Sequence, residues 1–142
     1  MRFWDSSALV PLLVAEATSR ALEDLFQDEE SVAVWWATEV ECASALARLE
    51  RMERLTAEET STAFEQLTEL AQIWHVIDPV ESVRTTAKRL LRMHQLRAAD
   101  AQQLAAALLA AEGRPESLEI VCLDERLSMA ANREGFRVLE LK

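Results

Sequence analysis

Four carboxylates, far apart in the numbering, stand where short apolar segments end or helical runs begin. Asp5 follows Phe3-Trp4. Glu41 lies early in a helical run. Asp100 opens an alanine-rich stretch. Asp124 follows Ile120-Val121-Cys122-Leu123. In an open α/β sheet, ligands sit outside the carboxyl ends of the strands, where the strand order reverses. Carboxylates that converge there repel one another and raise their own pKa values unless a cation joins them. A hard divalent ion, Mg²⁺ or Mn²⁺, resolves that repulsion, because it prefers oxygen ligands and keeps several waters for a substrate phosphate.

Each acid also has a plainer reading. Asp is a favoured helix N-cap, and Asp5, Asp100 and Asp124 all precede or open a helical run. Glu41 sits in the first turn of a helix, where a negative charge suits the positive helix end. Glu39 would do the same there, so spacing does not choose between the two.

The elements that must hold these groups alternate. The sequence predicts a strand over 2–4, then a helix capped by Ser6 or Ser7 with Pro11 about one turn in. A short helix starts at Thr18 or Ser19, and a second strand covers 31–35. The helix over 38–53 carries Val40, Ala43, Leu46, Ala47 and Leu49 at helical spacing. A capping box, Thr56-Ala57-Glu58-Glu59, opens another helix to Ala71 with Phe64, Leu67, Leu70 and Ala71 as its inner stripe. These two form an antiparallel hairpin. A third strand over 73–77 is followed by helices over 80–94 and 99–112, the latter stopped by Gly113. A fourth strand over 120–123, a helix over 125–134 ended by Gly135 and a fifth strand over 136–139 complete the chain. Alternation of this kind implies crossovers and a parallel sheet covered on both faces.

The 142 residues suit a single domain spanning 1–142 with a proper core. The longest apolar runs, 8–15 and 104–111, fall short of the roughly 18 residues of a membrane span, which points to a soluble cytoplasmic protein. Cys42 and Cys122 lie in apolar patterns that suit buried, reduced thiols. Fifteen basic and twenty-five acidic residues give a net charge of −10. That charge opposes a nucleic-acid partner unless local arginines and metal ions overcome it.

The order Asp5-Ser6-Ser7-Ala8-Leu9-Val10, Glu41-Cys42-Ala43-Ser44-Ala45-Leu46, Leu96-Arg97-Ala98-Ala99-Asp100 and Val121-Cys122-Leu123-Asp124-Glu125-Arg126-Leu127, closing on Gly135-Phe136-Arg137-Val138, resembles a PIN-domain ribonuclease. More narrowly, it resembles the VapC-type toxins of toxin–antitoxin modules. The resemblance spans essentially the whole chain. It implies a three-layer α/β/α fold with a five-stranded parallel sheet and endonucleolytic cleavage of RNA. Asp5, Glu41, Asp100 and Asp124 become catalytic residues and ligands of Mg²⁺ or Mn²⁺. Glu41 is preferred over Glu39 because Ser-Ala-Leu follows at the family's distance, and Ser6 supports the site in relatives. Cys122 stands where relatives commonly carry threonine or serine. The resemblance also implies a homodimer and a small antitoxin with a basic C-terminal segment, which an acidic protein would attract.

Other residues carry less. Trp35 and Trp36 offer base stacking or core packing, with Trp4 and Trp74 read as core. Arg97 and Arg126 suit RNA phosphates or ion pairs equally. His75 and His94 lack metal-ligand spacing and an evident partner. Two other functions compete. Aspartyl-phosphate chemistry, of the receiver or phosphatase type, needs a lysine near the phosphoryl group, whereas Lys88 is mid-helix and Lys142 terminal. A non-catalytic PIN-like binding module has no need of four acids.

Overall fold

The computed structural model of the chain describes residues 1–139 and Leu141; Lys142, weighed above, lies outside the described residues. Five short strands, β1 (Arg2–Trp4), β2 (Val32–Trp35), β3 (His75–Ile77), β4 (Glu119–Val121) and β5 (Arg137–Leu139), form one parallel sheet in the order β3-β2-β1-β4-β5. The chain therefore builds outward from β1 in one direction through β2 and β3, then returns to add β4 and β5 on the other side. The order reverses between β1 and β4, which is where such sheets open a crevice at their carboxyl ends.

Seven helices connect the strands: α1 (Ser6–Leu9), α2 (Ser19–Gln27), α3 (Thr38–Arg51), α4 (Ala57–Ala71), α5 (Glu81–Met93), α6 (Ala98–Ala110) and α7 (Glu125–Arg133). Period-two alternation along the strands sends neighbouring residues to opposite faces. Phe3 pairs in register with Ala33 and Ile120, and all three pack with α5, α6 and α7. Trp4, Val34 and Val121 face the other way, onto α1 to α4. The three-layer α/β/α fold expected from the PIN-domain resemblance is the fold observed.

Local chemistry fixes the element ends. Thr56 and Glu59 exchange side-chain and backbone hydrogen bonds at the start of α4, the expected capping box. Gly135 takes φ 102° after α7, a conformation costly for any residue with a Cβ. Pro11 falls in a 3₁₀ turn, Val10–Leu12, that extends α1 by one loop. Trp4 is fully buried, meets Phe26 edge-to-face at 5.6 Å, and donates its indole N–H to Glu29 at 3.3 Å. A large aromatic beneath the strand tip thus keeps its polar atom satisfied.

Three expectations need correction. Asp5, not Ser6 or Ser7, caps α1. The buried stripe of α3 is Thr38, Cys42 and Leu46, while Val40 is 69% exposed. On α4 it is Thr60, Ala63 and Leu67, with Phe64 at the edge. The inner stripe of α4 therefore runs through Thr60 and Ala63 as well as Leu67, rather than through its largest apolar side chain. Among the described residues no helix is long and apolar enough to cross a membrane.

Candidate active site

The crevice between β1 and β4 is bordered by all four expected acids. Asp5 leaves the tip of β1, where its backbone N–H extends the ladder by donating to Val121 O at 3.0 Å. Its side chain is buried, and Oδ2 accepts from the Ser7 N–H at 3.2 Å. Asp124 follows β4 and caps α7, accepting from the Leu127 N–H at 2.8 Å. Glu41 occupies the first turn of α3 and Asp100 the first turn of α6.

These groups feel one another. Burial raises the Asp5 carboxyl, and the charge of Asp124 adds to the rise. Burial also raises Asp100, reinforced by Asp124 and Asp5, while the Arg97 backbone and guanidinium draw it back. Glu41 is pushed up to about 7, chiefly by burial and further by Asp5 and Asp100, although a hydrogen bond from Gln103 works against the shift. None of the four acids forms an ion pair among the described residues, where acids elsewhere, Glu29, Glu81, Glu119 and Glu134, are paired. Glu39 is exposed, one residue past the buried Thr38. Capping does not take these acids out of the crevice: Asp5 and Asp124 each use one hydrogen bond to start a helix, and that bond fixes the carboxylate's orientation.

Asp124→Asn and Asp124→Ala separate these two roles. Asn caps about as well as Asp, so Asp124→Asn should keep the parent melting temperature while slowing the reaction about tenfold. Asp124→Ala should lose about 1 kcal/mol of stability as well. Thermal melts beside rate measurements check this, and equal activity in Asp124→Asn and the parent would leave Asp124 as a cap alone.

Sequence reasoning missed Gln103. It is 1% exposed, and its Nε2 donates to Glu41 Oε1 at 2.7 Å and to Thr38 Oγ1 at 3.0 Å, tying α6 to α3 across the notch. Its Oε1 is buried without a partner. A partial signal was present: of the adjacent Gln102 and Gln103 in an alanine- and leucine-rich helix, Gln103 stands three residues after Asp100, on the same side. Gln103→Leu should free Glu41 and lower activity about tenfold, and a Gln103→Leu protein with the parent rate would remove Gln103 from the site.

Cys42 and Cys122 are free and buried, and burial pushes both thiols up to about 12. Cys122 Sγ lies 3.7 Å from Asp5 Oδ2, and Ser7 Oγ accepts from the Leu123 N–H at 2.9 Å. These contacts knit the tip of β1 to the segment after β4. A cleft of about 630 Å³ opens beside the acids, lined by Arg97, Asp100, Asp124, Glu125 and Arg126 among others. Neither Arg97 nor Arg126 is in an ion pair among the described residues. Lys88 lines a different cleft, with Trp35 and Pro79. Trp35 is core, while Trp36 is 57% exposed. His94, expected to lack a partner, meets Glu134 at 2.7 Å, an acid 40 positions later that Arg89 also holds.

Whether a divalent ion fits is a question for the donor set. The groups offered are hard carboxylate oxygens, three of them with raised pKa values and none in an ion pair among the described residues, which is the chemistry of a Mg²⁺ or Mn²⁺ site. As placed, no three His, Cys, Asp or Glu side chains among the described residues stand close enough to hold one ion together. Mg²⁺ is commonly held through one or two carboxylates with water completing its shell, so the donors fit such an ion on those terms.

No family profile matches the chain. Over 139 residues it is 34% identical to Ribonuclease VapC45 and, equally, to Ribonuclease VapC49 of Mycobacterium tuberculosis strains, covering 96% of this chain and 92% of each relative. Its fold is similar to that in the crystal structure of FitAcB from Neisseria gonorrhoeae, with a TM-score of 0.69 at 18% identity over 99% of this chain and 97% of that one. It is also similar to a toxin–antitoxin complex from Klebsiella pneumoniae, with a TM-score of 0.66 at 17% identity over the same shares.

Proposed function

The chain belongs to the VapC family of ribonucleases, and on that premise we propose that it is a Mg²⁺- or Mn²⁺-dependent endoribonuclease, the toxin of a toxin–antitoxin pair, acting through Asp5, Glu41, Asp100 and Asp124. The observation that carries this reading is that four acids border the crevice at the switch point of the sheet, none in an ion pair among the described residues, three of them with pKa values raised by burial and by neighbouring acids.

In this reading one or two of these carboxylates would hold the ion at a time, with water completing its shell, and the protein's work is positioning. The helix caps fix Asp5 and Asp124. Gln103, itself anchored on Thr38, holds one oxygen of Glu41 and leaves the other for a ligand. Arg97 and Arg126 flank the acids and attract the substrate's phosphates. A bound divalent ion supplies charge neutralisation at the scissile phosphate and a more acidic water. Attack by a cysteine is disfavoured, since both thiols are buried and burial pushes them up to about 12.

The expected partners follow the same reading. An acidic protein of charge −10 draws a cationic inhibitor from a distance, which suits a small antitoxin with a basic C-terminal segment. The similarly folded Klebsiella pneumoniae structure is a toxin–antitoxin complex. A homodimer is part of the proposal. The test is expression in a bacterial host: the parent chain should arrest growth and, once purified, cut RNA internally in Mg²⁺ or Mn²⁺, and Asp5→Asn should do neither. Growth arrest that survives Asp5→Asn would overturn the reading.

A further inference from the structure

The cleft beside the acids does not end there. A second cleft of about 290 Å³ is lined by His94, Gln95, Glu125, Arg126, Met129 and Arg133, together with Ala130. The two clefts adjoin at Glu125 and Arg126, so together they trace a trough from the acidic notch along α7 to Arg133, its last residue.

We propose that this trough is the track of the RNA strand, with Arg126 and Arg133 holding its phosphates and Met129 carrying a base. The proposal rests on the ribonuclease reading and assigns the path by which the substrate reaches that site. Arg126, Met129 and Arg133 fall at i, i+3 and i+7 on α7, one face of the helix. The two arginines are separated by about 10 Å along the axis, so they reach different phosphates. Met129 is 54% exposed between them, a polarizable surface on which a flat ring can rest.

Charge separates this trough from its surroundings. The chain carries −10 overall, and the cleft formed by Leu13, Leu49 and α4 is lined by Glu16, Glu58 and Glu59 against Arg54. The second cleft has two arginines against Glu125 alone. Glu134, the acid next to Arg133, is held by Arg89 at 3.0 Å and by His94 at 2.7 Å, so it does not neutralise Arg133. Neither Arg126 nor Arg133 forms an ion pair among the described residues, whereas Arg2, Arg84, Arg89 and Arg137 do. Continuity with the acids selects RNA as the occupant over an acidic peptide.

The test measures binding of a short fluorescein-labelled single-stranded oligoribonucleotide by anisotropy, in the Asp5→Asn background so that nothing is cut. Arg126→Gln and Arg133→Gln should each weaken binding about fivefold and lower the salt slope by roughly 0.7. Met129→Ala should weaken binding and leave the salt slope unchanged. Arg51→Gln, outside both clefts, should change nothing. With Asp5 intact, Arg133→Gln should raise KM about fivefold and keep kcat within about twofold. A double arginine variant with the parent's affinity and salt slope would overturn the track. So would a double variant that keeps RNA affinity but loses affinity for oligoglutamate, because the trough would then be a protein-docking face. A parent chain that neither binds nor cuts RNA ends the ribonuclease reading itself; a parent that cuts RNA with the double variant's KM ends the track alone.

Discussion

Asp5→Asn is expected to lower RNA cleavage by roughly 10³-fold while the protein stays folded with a melting temperature within a few degrees of the parent. Stability is spared because Asn caps helices as well as Asp does, so the bond from the Ser7 N–H to the residue-5 side chain at the start of α1 is kept. Burial already disfavours the charged form of Asp5, and a neutral amide relieves that cost. What disappears is the negative charge, and with it a ligand to the ion that the reading requires. Losing one preorganised electrostatic contact typically costs about 10²–10³ in rate, and a residue that also helps hold the metal belongs at the top of that range. Asp100→Asn should behave alike, since Asp100 sits in the first turn of α6 and its replacement loses about 0.3–1 kcal/mol of helix-end electrostatics. Single-turnover cleavage of a labelled RNA in Mn²⁺, beside circular-dichroism melts, measures both quantities. An Asp5→Asn protein that folds and cuts RNA at a tenth of the parent rate or faster would remove the acidic notch from the chemistry.

Much of this was legible before any coordinates. The Thr56-to-Glu59 box and Gly135 are local signals, decided within a few residues, and they stand where expected. The parallel sheet follows from alternation of strands and helices, and the sheet in turn brings Asp5 and Asp124 to one edge because β1 and β4 are neighbours. Val40 and Phe64 misled for a reason of packing. Periodicity ranks positions by the size of apolar side chains, yet the buried positions are Thr38, Cys42 and Leu46 on α3 and Thr60, Ala63 and Leu67 on α4, a mix of small, polar and apolar groups. Partners distant in the chain were beyond reach in principle. Nothing local ties His94 to Glu134 or Gln103 to Glu41, 40 and 62 positions apart. A polar residue spaced to share the side of Asp100 on an alanine- and leucine-rich helix still marks a place worth inspecting, and Gln103 was such a residue.

The raised carboxyls have a consequence for stability that separates a metal site from a chance cluster of acids. Glu41 is pushed from an ordinary value of 4.5 to about 7 in the folded protein without metal. Between those pH values the folded chain holds a proton that the unfolded chain has lost. Its contribution is therefore complete below about 4.5 and disappears as pH rises through about 7. Halved for solvent screening, because Glu41 is only partly buried, this amounts to about 2 kcal/mol. Asp5 and Asp100, raised in the same direction, add to it. Glu134 works the other way. Burial opposes its ionisation, but hydrogen bonds from Arg89 and His94 outweigh that and hold it below the usual range, so its stabilisation is lost only as pH falls below that of an ordinary glutamate. In EDTA the melting temperature should thus be about 5–10 °C higher at pH 5 than at pH 8. Glu41→Gln should flatten the slope. Mn²⁺ at about one hundred times its Kd adds roughly 2.7 kcal/mol to the folded state, and binds better at pH 8 than at pH 5 because it competes with protons for its ligands, so the ion should erase or reverse the difference. Melts in EDTA that are level or rise from pH 5 to pH 8, or a Glu41→Gln protein with the parent slope, would show that these acids do not share the strained, cation-seeking environment on which the proposed chemistry depends.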